Sequence, residues 1–154
     1  MSEIQRIADQ LGRAFEGHAW HGPAVQELLA DVTADTAAAR PLSDAHSIWE
    51  IVLHIATWEE VVRRRLQGEV VADLPPEQDW PPVQDISEAA WRQALDDLKR
   101  GHRALREAIV RSGEMRLAEM VPGKEHSVYH MLHGVIQHDL YHAGQIAILK
   151  KARN

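Results

Sequence analysis

The chain has 154 residues, 45% hydrophobic and 26% charged, and its 17 basic and 23 acidic side chains leave a net charge of −6. That size and balance predict one globular domain spanning 1–154, and the acidic balance argues against nucleic acid as a partner, because phosphate binding needs a basic face. No apolar run approaches the roughly 18 residues of a membrane helix and MSEIQRIADQ lacks a signal peptide's apolar stretch, so the expectation is a cytoplasmic protein with no membrane partner.

The first predicted helix runs from Ser2 to about Glu16, with Ile4, Ile7, Ala8, Leu11 and Phe15 at helical steps and Ser2 as N-cap. After Gly17 a short helix is expected from Ala24 to Ala30, then an irregular alanine-rich connector from Asp31 to Pro41. A second long helix is predicted from Ser43 or Ala45 to Gln67, capped by Ser43 or Asp44 and stopped by Gly68. Its apolar face is broad, as in a helix largely buried in a bundle.

Between Gly68 and Asp85 four prolines and little periodicity predict a long surface loop of the kind that often carries function. A third long helix follows Ser87 and reaches Arg111 through Trp91, Leu98, Leu105 and Ile109. The last runs from about Ser127 to Lys151, with Lys150, Lys151 and Arg153 complementing its dipole. Val70 and Val71 are too brief for a strand. Four long helices and no sheet predict an all-α fold, an up-and-down or crossover four-helix bundle.

Ten histidines stand beside one Phe and two Tyr, and there is no cysteine. The chain therefore has no disulfide, no thiolate nucleophile and no sulfur ligand, so any metal must be held by His, Asp or Glu. His138 and His142 lie four apart on the last helix, where side chains sit one above the other with β-carbons about 6 Å apart. His54 lies within the apolar run Ile51-Val52-Leu53-His54-Ile55-Ala56, where burying an imidazole requires a partner. Three neutral imidazoles would supply an open tetrahedral metal site with one position left for water or substrate. The alternative is two solvated helix residues and a core histidine bonded to a carbonyl. His133 faces about 140° away from His138. His46 and His126 lie near helix starts, and His18, His21 and His102 read as surface or loop residues. Trp49, Trp58 and Trp91 read as core, and Arg63 to Arg65 as a solvated face. Gly134, Ala143 and Gly144 suggest close helix packing.

HDLYH is similar to the zincin HExxH, but the tail AGQIAILKKARN offers no third ligand. A di-iron bundle needs Glu-x-x-His, whereas Glu50 precedes His54 by four. The strings HMLHGVIQHDLYHAGQIAILKK and HSIWEIVLHIATWEEVVRRRLQGE instead resemble the DinB/YfiT-like superfamily of metalloenzymes, and the WHGP and AAARP segments match one branch of it.

The resemblance implies a four-helix bundle that binds a divalent metal through His54, His138 and His142, and also a homodimer. Zinc and nickel lead as the ion, with iron and manganese open, since three imidazoles suit several metals. Some members of the superfamily transfer low-molecular-weight thiols, so the expected function is a metal-dependent hydrolase or a transferase that passes such a thiol to a small-molecule electrophile. The alternatives are a noncatalytic, stress-related metal or small-ligand binding bundle and a structural dimer with a vestigial site. Glu50, one turn before His54, and Tyr141 are the candidate proton-transfer residues. Gln145 is a candidate support for His142. Asp139 points about 100° away from His138 and is a poor base for the site.

Overall fold

The computed structural model describes residues 1–152; Arg153, expected to complement the last helix dipole, lies outside them. Seven α-helices and one 3-10 helix occur in the described residues: α1 (Glu3–Phe15), α2 (Val25–Leu29), α3 (Ala34–Ala38), α4 (Ile48–Leu66), α5 (Pro76–Asp79), α6 (Glu88–Ser112), the 3-10 turn Glu114–Ala118, and α7 (Val128–Lys151). Met120 and Ser127 form an isolated antiparallel bridge. No described helix is long and apolar enough to cross a membrane.

Each long helix begins the same way. The hydroxyls of Ser2, Ser47, Ser87 and Ser127 accept hydrogen bonds from the amides of Gln5, Glu50, Ala90 and His130, satisfying one otherwise orphaned donor per helix. At α4 the cap is reciprocal, because Glu50 Oε2 accepts from the Ser47 amide at 2.7 Å. This closed box starts α4 at Ile48, later than the expected Ser43 or Ala45, and Pro41 to Ala45 form bends and a turn instead. The stop at Gly68 holds: its φ of +95° is a conformation that favours glycine.

The connector expected to be irregular contains α3. Thr33 caps it through the Thr36 amide, and Ala34 and Ala37 are buried, so the alanine run is a helix with a buried face. The loop from Gly68 to Asp85 contains the single turn α5, which packs against α4. The close-packing expectation fails at Gly134 and Gly144, where an added Cβ would meet nothing within 4 Å. Arg65 is likewise not solvated: it is buried, donates to the Val71 carbonyl at 3.0 Å, and lies 5.8 Å from the Trp58 ring.

The four long helices form a ring in which α4 packs on α6 and α7, and α1 packs on the same two from the opposite corner. Their apolar interior divides in two. One half gathers Ile4, Leu11, Val62, Leu105 and Leu132; the other gathers Phe15, Ile55, Trp91, Leu98 and Ile146. Between them, on α4, α6 and α7, lie the buried polar residues His54, Glu59, His102, Asp139 and His142. A polar layer at mid-height thus interrupts the core, and polar groups taken from water must find partners within it.

Candidate metal centre

His54 projects from α4, and His138 and His142 from successive turns of α7, which pairs with α4 in the ring. His138 Nε2 lies 3.0 Å from His54 Nε2 and 3.1 Å from His142 Nε2. Tautomers follow from the outer nitrogens. His54 Nδ1–H donates to the Asp79 carbonyl at 2.7 Å, and His142 Nδ1–H donates to Gln145 Oε1 at 2.6 Å. Both Nε2 atoms are then bare lone pairs aimed at His138.

A protonated His138 Nε2 can satisfy only one of them, and His138 Nδ1 is buried without a partner. The hydrogen bonding of the three rings is therefore incomplete, and a divalent cation among them would engage the Nε2 lone pairs that it leaves bare. Four-coordinate nitrogens about 2.1 Å from an ion are about 3.4 Å apart, so small ring rotations suffice to admit one. Burial sets the charge state. Desolvation, reinforced by the other two rings, pushes His138 down to about 3, and desolvation lowers His54 and His142 as well. The rings are neutral near pH 7, the form in which imidazole binds metal.

The loop after α4 completes the surroundings. Trp80 stacks on His54 with centroids 3.8 Å apart and on His46 at 3.6 Å, so an indole lies between two imidazoles. The Asp79 carboxylate accepts from Trp58 Nε1 at 2.7 Å and lies 3.2 Å from His54 Nδ1. Trp49 and Trp91 are core, whereas Trp58 is half-buried beside the site. Beyond Trp80 and His46, a cleft of about 370 Å³ is lined by Leu42, Ile51, Gln145, Ile148 and Leu149.

The structure brings together the three predicted ligands and Gln145. Glu50 lies at the start of α4, where its carboxylate is taken up by the Ser47 amide and Arg40. Burial works against its ionisation, but the Ser47 amide and Arg40 outweigh that and hold it below the usual range. Tyr141 is 67% exposed, its ring 5.2 Å from that of His142.

Asp79 and Trp80 were missed because the loop has no periodicity to read. Also missed were Glu59, His102 and Asp139, each at most 1% exposed. His102, expected at the surface, is instead stacked on Phe15 at 3.9 Å. The signal was one of phase. Glu59 falls between Ile55 and Val62, His102 between Leu98 and Leu105, and Asp139 between Val135 and Ala143, all on apolar stripes at helical spacing.

Fold and site together define an all-helical protein whose central helices present three neutral imidazoles suited to one divalent ion. A family model described as the DinB superfamily matches residues 19–146, and the chain belongs to that superfamily. No curated protein and no solved structure matches it.

Proposed function

We propose that this is a metal-dependent enzyme that joins a low-molecular-weight thiol to a small electrophile. The convergence of the His54, His138 and His142 Nε2 atoms carries the reading. These residues would hold a divalent ion, with zinc or nickel ahead of iron or manganese. Bound by neutral ligands, the ion keeps its full charge and supplies Lewis acidity sufficient to deprotonate a thiol or water at neutral pH.

The chain's own residues do the rest. The Asp79 carbonyl and Gln145 fix the orientation of two ligand rings. Trp80 and Trp58 shield the site from water. The cleft beside His46 and Gln145 receives the apolar part of the electrophile. Tyr141 offers a hydroxyl near the site for proton transfer, and Glu50 fixes Arg40 at the start of α4. With no cysteine, the chain offers no thiol of its own, so the sulfur nucleophile comes from a cosubstrate.

The same reading includes a homodimer in the cytoplasm. Light scattering showing only a 17.4 kDa species refutes the dimer. A panel of thiols and electrophiles, run with protein purified without a His-tag, tests the activity. Turnover that disappears on chelation and in His54→Ala supports the proposal. Turnover that survives complete metal removal overturns it, and tight metal binding with no turnover across the panel favours a binding protein.

A further inference from the structure

Once the imidazole triad is accounted for, three buried groups remain in the polar layer. Glu59 of α4, His102 of α6 and Asp139 of α7 each offer one donor atom, and these atoms lie within 4.8 Å of one another. His102 Nδ1 is 2.7 Å from Glu59 Oε1. The remaining atoms are orphaned: Glu59 Oε2, His102 Nε2 and both Asp139 oxygens have no hydrogen-bond partner. They make up four of the seven such buried side-chain atoms among the described residues. A cluster this concentrated calls for an occupant, since native proteins leave few buried polar groups unsatisfied.

The electrostatics point the same way. Desolvation drives Glu59 up to about 8. Desolvation also pushes His102 down to about 3, so its ring is neutral. Among the described residues neither carboxylate has a Lys or Arg within ion-pair distance. Two carboxylates buried this close require either protons or a counter-charge.

We propose that Glu59, His102 and Asp139 form a second metal site, sealed in the core, for a divalent transition cation such as Mn²⁺, Fe²⁺ or Zn²⁺. Two carboxylates and a dication sum to zero, which suits a core that tolerates no net charge. The imidazole nitrogen shifts preference from magnesium or calcium towards transition ions. One ion gives a partner to a ligand atom from each of the three residues at once. Since all three residues are at most 1% exposed, the cation enters as the chain folds.

The test uses the full chain without a His-tag, with Mn²⁺ and Zn²⁺ as separate probes and metal content as the readout. Metal-free native protein is expected to take up one equivalent, at the imidazole triad. Protein unfolded, stripped and refolded with the probe is expected to hold two. Under refolding, a His138→Ala, His142→Ala variant keeps one equivalent and a Glu59→Gln, Asp139→Asn variant also keeps one, each losing a different ion. A refolded wild type limited to one equivalent, with the His138→Ala, His142→Ala variant empty, overturns the second site and leaves the first standing. If the Glu59→Gln, Asp139→Asn variant does not fold by circular dichroism, the His138→Ala, His142→Ala variant alone decides, with one retained equivalent in support and none against.

Discussion

His138 and Asp139 are consecutive residues, yet they face different chemistry. On the His138 side three neutral imidazoles converge beneath a tryptophan and next to a cleft. On the Asp139 side two carboxyl groups and one imidazole are enclosed on all sides. The first donor set would leave a cation's charge intact beside a cleft that can admit a substrate, which favours reactivity. The second would cancel the charge and exclude solvent, which favours structure. One helix thus separates a site suited to chemistry from one suited to holding the bundle together, because a step of one residue turns the side chain about 100°.

The largest expected effect is on the open side. His54→Ala removes one of three ligands and should weaken Zn²⁺ binding there by more than the roughly 10- to 100-fold that follows loss of an outer partner. Titration with a competing chelator measures it, and unchanged affinity would remove His54 from the site. Gln145→Leu, which deprives His142 Nδ1 of its acceptor, should cost about 10- to 100-fold in the same assay while leaving the Asp139 side untouched.

The imidazoles and the carboxyl groups of the two sides respond oppositely to pH in the metal-free chain. His102 and His138, pushed down to about 3, stay neutral when folded while the unfolded chain protonates near 6.5. Stability from this source is present above about pH 6.5 and is lost on acidification towards 3, by about 1.4 kcal/mol per pH unit for each group. Glu59, raised to about 8, and Asp139, also raised, run the other way. Their stability is full below about pH 4.3 and is lost as pH climbs through about 8. Urea unfolding should therefore show a plateau between about pH 4.5 and 6.5 with a decline on either side. In Glu59→Gln, Asp139→Asn the alkaline decline should vanish and the acid decline should begin already near pH 6.5, because the carboxyl groups no longer offset it; a variant that keeps the alkaline decline would break the comparison.

The smallest effect serves as a control. Gly144 is exposed on α7 with open space at its Cβ, so Gly144→Ala should raise stability by about 0.5–1 kcal/mol and alter metal content at neither cluster.

Much of the fold was legible because its signals are local. Serine caps, helical apolar stripes and Gly68 place the ends of the long helices within a few residues. The three imidazole ligands were legible for a related reason: two of them share one helix at the spacing that stacks them, and the third interrupts an apolar run. Glu59, His102 and Asp139 share no helix, so only tertiary packing unites them. Asp79 and Trp80 reach His54 through a loop whose path no periodicity encodes. The Ser47–Glu50 box prevailed over two equally plausible caps upstream because both of its bonds close at once.

The stacking of Phe15 on His102 separates two properties that usually travel together. Phe15 belongs to α1, which contributes no atom to the Glu59, His102 and Asp139 set and precedes the span shared with the superfamily. If an ion occupies that set, its affinity would depend on the donors of α4, α6 and α7, whereas its escape past His102 would depend on the ring of Phe15 in α1. Residence time and affinity would then be set by different helices, so trimming that ring, as in Phe15→Ala, would quicken leakage with every ligand still in place.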